Sequence, residues 1–169
     1  MPGRGGGRAS LEAACAAIAA TCACTTVRLA SRAITQLYDS ALAPSGLRVT
    51  QFVVLVGVLR GAGMTLNRLA KTLGMERSTL PRNLRPLIRR RLVEVMSGPD
   101  KRAKVIRLTK AGERQVARMI PHWERAQARV LRDIGIRKWR SLGADLRLLA
   151  ENVGPTPTRK ARERPPHPG

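Results

Sequence analysis

A chain of 169 residues with 32 basic and 11 acidic side chains carries a formal charge of +21, which suits a polyanionic partner and steeply salt-dependent binding. Aromatic residues amount to 2%, too few for the stacking platforms that hold single-stranded nucleic acid. No run is long and apolar enough to span a bilayer, so no membrane partner is expected, and the length fits one ordinary domain.

Residues 1–10, mostly Gly and Arg, read as a disordered basic N-terminus. The Ala-rich run from Leu11 to Ala23 lacks hydrophobic bulk and carries Glu12, which argues against a signal peptide and for a cytoplasmic protein. One long helix is predicted over 11–42, stopped by Pro44 and Gly46. It holds all three cysteines, Cys15, Cys22 and Cys24. Cys22 and Cys24 are two apart, so on a helix they point to nearly opposite sides and cannot pair without local unwinding. As small apolar groups the thiols can equally be packing residues. A second helix is predicted over 50–60, apolar throughout and therefore buried.

The segment from Thr65 to Thr109 is the most specific. Thr65 can cap a short helix whose Leu66, Leu69, Ala70 and Leu73 recur at helical spacing. Gly74 ends it in the left-handed region. A further helix is predicted from about Glu76 or Arg77 to Arg91, with Leu80, Leu84, Leu87 and Ile88 facing inward and Pro86 bending it mildly. Its other face offers Arg77, Ser78, Thr79, Arg82, Asn83 and Arg85, followed by Arg89, Arg90 and Arg91. Six arginines between 77 and 91 with no acid among them differ from a merely solvated face, where acids are normally interleaved four residues away. Arginine bonds guanine through two atoms, asparagine does so to adenine, and Ser78 and Thr79 suit phosphates.

Two short β-branched runs, Val93–Val95 and Val105–Leu108, then flank a Gly98-Pro99-Asp100 cluster and predict a hairpin. Its basic tip, with Lys101, Arg102 and Lys104, suits phosphates or a minor groove, and Asp100 would hold Arg102 or cap the turn. Thr109 caps the next helix. The layout is a mainly α winged helix-turn-helix with a small β-hairpin wing, built to put one helix into a DNA major groove. Beyond it Val116, Ile120, Trp123, Val130 and Ile134 form an apolar stripe, which Trp139, Leu142, Leu146, Leu149 and Val153 resume after Gly135. Such stripes exceed what one small domain covers and imply a homodimer. Residues 154–169, with five prolines and four basic residues, read as a disordered Pro/Arg-rich tail.

The chain resembles the MarR family of bacterial transcriptional regulators. The resemblance rests on Tyr38-Asp39, Leu42-Ala43-Pro44-Ser45-Gly46-Leu47, Thr50-Gln51-Phe52, Leu69-Ala70, Ser78 to Leu87, Asp100-Lys101-Arg102 and Leu108-Thr109-Lys110-Ala111-Gly112, in that order over roughly 130 residues. It implies a domain over 11–153, with a DNA-binding core at about 48–109 and dimerisation helices at about 11–42 and 110–153. It further implies a dimer on a pseudo-palindromic double-stranded operator, acting as a cytoplasmic, nucleoid-associated repressor. Arg91 departs from the pattern, standing where the family usually has Gly, so that helix end must be capped in another way.

The hydroperoxide sensors of the family carry a reactive Cys with a Tyr fourteen residues later, a spacing that Cys24 and Tyr38 match; their second Tyr is replaced here by Arg28. Cys24, Cys22 and Tyr38 are therefore the candidate redox residues, and an oxidant is one candidate effector. A small aromatic ligand bordered by Tyr38, Phe52 and Trp123 is the other. Cys22, Cys24 and His122 fall short of a zinc ligand set, so neither metal nor cofactor is assigned. No paired carboxylates, phosphate loop or Ser-His-Asp spacing suggest an enzyme. The rival reading is a sequence-blind, basic architectural DNA-binding protein.

Overall fold

The computed structural model describes residues 5–61, 63–76, 78–98 and 104–153. The chain divides into two compact units, Met1–Ala126 and Gln127–Gly169.

The first unit opens on two helices, α1 (Gly5–Thr21) and α2 (Ala23–Leu42), where one was expected. They meet at a bend of 47° at Cys22, whose φ of −65° and ψ of 108° leave the helical region. The local composition explains the break. Thr21, Cys22, Thr25, Thr26 and Val27 are all mediocre helix formers, and Thr21 turns its hydroxyl back to the Ala17 carbonyl (2.8 Å). The Cys22 carbonyl then accepts both the N–H and the hydroxyl of Thr26, each at 3.1 Å, and so starts α2. At the other end α1 begins at Gly5, inside the stretch for which composition predicts disorder. Its alanines and the exposed Arg8–Glu12 pair (2.9 Å) carry the helix backward.

A 3₁₀ turn, Ala43–Ser45, follows α2 and closes on Gly46 at φ 67°. Helix α3 (Val49–Arg60) starts where the Asp39 carboxylate accepts the Val49 N–H at 2.7 Å. Phe52, Val54, Leu55 and Val58 are buried, but Val53 and Leu59 are 38% and 49% exposed, so this apolar helix is not buried all round. Its inner face packs on α4 (Leu66–Thr72), α5 (Thr79–Arg89) and a hairpin strand. The outer residues open on a groove described below.

Helix α4 is capped by the Thr65 hydroxyl, which accepts the Arg68 N–H at 3.3 Å. It ends as Gly74 enters the left-handed region at φ 60°, with Met75 N–H bonded to Ala70 O (2.9 Å) and Gly74 N–H to Lys71 O (3.2 Å). Helix α5 is shorter than the expected span at both ends and runs unbroken through Pro86. Its C-terminal end repeats the α4 device with a different residue: Arg91 itself takes φ 53°, while Leu92 N–H reaches Leu87 O and Arg91 N–H reaches Ile88 O, both at 2.9 Å. This is a Schellman cap built without glycine.

Strands β1 (Val93–Ser97) and β2 (Lys104–Leu108) pair antiparallel, Val93 opposite Leu108 and Ser97 opposite Lys104. Helix α6 (Lys110–Ile134) starts from a close junction. The Thr109 hydroxyl donates to Arg91 O at 2.7 Å and accepts the Gly112 N–H at 3.0 Å, and Thr109 N–H bonds Leu92 O at 3.1 Å. A Cβ on Gly112 would collide with that Leu92 carbonyl. Leu42, Val54, Leu55, Leu69, Leu87, Ile106 and Met119 form the centre of the core.

In the second unit Gly135, at φ 87°, separates the end of α6 from α7 (Ile136–Val153). No residue of α7 is buried.

Candidate nucleic-acid interface

Helix α5 is two-sided because of its own spacing. Leu80, Leu84 and Leu87 are buried and fix the helix to the core. Arg82, Arg85 and Arg89 recur at steps of three and four on the opposite side and are exposed, as is Ser78 just ahead of the helix. Among the described residues the ion pairs are Arg8–Glu12, Lys110–Glu113 and Arg129–Asp133, none of them on α5. Thr79 is half-buried. Lys104 is exposed at the turn end of β2, opposite Ser97. Arg77, Lys101 and Arg102, together with Asp100, lie outside the described residues.

Two side chains depart from expectation. Asn83 is half-buried and donates its amide to the Thr79 carbonyl of its own helix at 3.1 Å, which competes with the adenine contact assigned to it. Ile88, expected to face inward, is 42% exposed. It lines an open groove of about 430 Å³ with Leu66, Leu84 and Val95, bordered by Arg85 and Lys104.

The candidate signal residues are dispersed. Cys15 and Cys24 are exposed and Cys22 is half-buried. The Thr25 hydroxyl, followed by the Thr25 backbone N–H, holds the Cys22 thiol below the ordinary thiol range; desolvation opposes this and the Cys24 N–H adds to it. Position at the start of α2 thus favours the thiolate. Cys24 and Tyr38 share α2, where fourteen residues span about 21 Å, so one chain does not bring them together. Tyr38 is buried, its phenol pushed up by desolvation. Its ring lies 6.4 Å from that of Trp123, tilted by 34°. Trp123 and Phe52 border an apolar groove of about 660 Å³, with Val56, Leu73, Val116 and Ile120, and Tyr38 is not part of its wall. His122 contacts Arg125 at 2.8 Å. Among the described residues no three metal-ligating side chains cluster.

The MarR family model matches residues 45–103, the stretch from the Ser45 turn to the wing. The transcriptional regulator MosR of M. tuberculosis, crystallised in complex with DNA, is 40% identical over 79% of this chain and 96% of its own, with a TM-score of 0.72. This chain belongs to the MarR family. The repressor CouR, bound to a 23-mer DNA duplex, is 25% identical over 74% of this chain and 89% of its own (TM-score 0.69). The PcaV regulator from Streptomyces coelicolor, in complex with its natural ligand, shares the fold at 22% identity, 79% and 95% coverage and a TM-score of 0.73. No curated protein matches.

Within this MarR scaffold one role escaped sequence reasoning. Arg89 joins Arg82 and Arg85 on the exposed face, as expected from their spacing of three and four. Arg90 turns away from it, donating to the Gly46 carbonyl at 2.9 Å and to the Ser45 carbonyl at 3.2 Å. Nothing in a run of three arginines separates the one that faces outward from the one that braces a turn.

Proposed function

We propose that this chain is a homodimeric repressor that binds a pseudo-palindromic double-stranded operator through α5 and the wing, and that an oxidant or a small apolar ligand releases it. The observation that carries this reading is the acid-free exposed face of α5, with Arg82, Arg85 and Arg89 aimed away from a leucine face that fixes the helix. Arg82 and Arg85 read base edges, while Ser78, Thr79, Lys104 and the neighbouring Arg77, Lys101 and Arg102 meet phosphates. Dimerisation is supported by apolar side chains without cover: Leu142, Leu146, Leu149 and Val153 on α7, and Leu11, Ile18, Val27 and Leu29 on α1 and α2, are exposed. The protein acts in the cytoplasm on nucleoid DNA.

Selection from random duplexes followed by titration at physiological salt tests the reading. The expected result is a preferred sequence bound at least roughly a thousandfold more tightly than random DNA. Equal affinities would instead mark a sequence-blind architectural protein. Arg82→Ala and Arg85→Ala should erode discrimination between bases, whereas Lys104→Ala should weaken all sequences alike.

For the signal, Cys22 is the primary oxidisable sulfur, supported by its lowered pKa, with Cys24 its neighbour in sequence. Hydroperoxide should release operator from the wild type and not from Cys22→Ser. Release that persists in both Cys22→Ser and Cys24→Ser would leave the apolar groove beside Phe52 and Trp123 as the effector site.

A further inference from the structure

We infer that Arg90 sets the half-site spacing that the dimer accepts, by fixing the end of the reading helix to the turn that closes α2. Arg90 stands one residue past α5, and its guanidinium spans two successive carbonyls, Ser45 and Gly46, 45 and 44 residues back in the chain. The same turn is a junction. The Ser45 hydroxyl donates to Leu42 O at 2.6 Å and accepts the Leu47 N–H at 3.2 Å. Gln115 of α6 donates to Ser45 O at 3.3 Å. One short turn thus ends α2, leads into α3, and is held from both α5 and α6.

The leucine face of α5 packs on α3 and β1. Hydrophobic burial is non-directional, and the planar guanidinium adds a directional contact aimed at two successive carbonyls. The backbone beneath it is specialised too: Gly46 is left-handed at φ 67°, and a Cβ there would stand 3.5 Å from Arg90 Nη1. In the repressor reading, on which this inference rests, α2 belongs to the dimer arm. The twofold axis then converts the placement of α5 against the end of α2 into the separation of the two reading helices. One added base pair moves a half-site by about 3.4 Å and turns it by roughly 34°, so a looser α5 end should blur that choice.

The test uses the full-length protein and its selected operator, with the half-site centres moved apart or together by one base pair. The quantity read is the ratio of affinities for native and altered spacing. Wild type should show a strong preference, and Arg90→Gln should reduce it by roughly fivefold or more, the low end of coupling between linked sites. Arg90→Lys, which keeps the charge but cannot span both carbonyls, should fall between. Arg89→Gln removes a cation from the same helix end without touching the turn, and should weaken every spacing equally. A wild-type ratio in Arg90→Gln, or an equal change in Arg89→Gln, would overturn the inference. If Arg90→Gln melts well below the wild type, the ratio in Arg90→Lys decides. A wild type with no preferred sequence overturns the repressor reading and this inference with it.

Discussion

Arg91 holds a backbone conformation that costs an L-residue roughly 1–2 kcal/mol, and it does so at the point where α5 must stop for β1 to begin. Glycine would remove that strain but adds freedom to the unfolded chain worth about 0.5–1 kcal/mol. Arg91→Gly should therefore stabilise the protein by about 0.5–1 kcal/mol, read as a higher midpoint in thermal melts at fixed protein concentration. An unchanged or lower midpoint would mean that the Arg91 side chain contributes more than its backbone costs. Gly112 presents the reverse case. It is an ordinary helical glycine by conformation, but the Leu92 carbonyl occupies the place of its missing Cβ, so Gly112→Ala should destabilise by roughly 1–3 kcal/mol. The cap at Thr109 was legible because a threonine just ahead of a helical run is a local start signal. The contact of Gly112 with a carbonyl twenty residues earlier was not, because nothing local encodes it.

At the scale of elements, what was legible followed periodicity. The leucine face of α5, the β-branched strands and the turn at Gly74 all obey rules that act within a few residues. The C-terminal end of α5 and the break between α1 and α2 did not, since they fall at Arg91 and Cys22, residues that rarely signal a helix end. The signal residues show the same divide: the spacing of Cys24 and Tyr38 was visible, but the Cys22 environment arises only from the bend. Because hydrogen bonds from Thr25 favour the charged sulfur, Cys22 is more fully thiolate near neutral pH than an ordinary thiol. Its alkylation should therefore reach half-maximal rate at lower pH than a free thiol does. Thr25→Val should move that midpoint upward, measured by iodoacetamide labelling with site-resolved mass spectrometry. A midpoint indifferent to Thr25 would remove the hydroxyl as the cause.

At the scale of the molecule, charge and uncovered apolar surface act together. A net charge of +21 makes counterion release a dominant contribution to DNA affinity. A footprint of about six to ten phosphates predicts a log–log salt slope of roughly 5–9 in magnitude. A slope near that for both operator and random duplex, with affinity differing only in intercept, is expected from titrations between 50 mM and 200 mM salt, values at which such footprints are sensitive. The apolar stripe of α7 predicts that the thermal midpoint rises with protein concentration, as it must when folding and association are linked; a midpoint independent of concentration would argue for a stable monomer. The bend at Cys22 adds a mechanical consequence. Helix α1 is seventeen residues long, a rod of about 25 Å, and one residue joins it to α2. A change of only about 10° at that residue displaces the far tip by roughly 4 Å, close to the pitch of one helical turn. In the proposed redox reading, the oxidisable sulfur therefore sits at the pivot of this lever, where a small rotation has its largest reach.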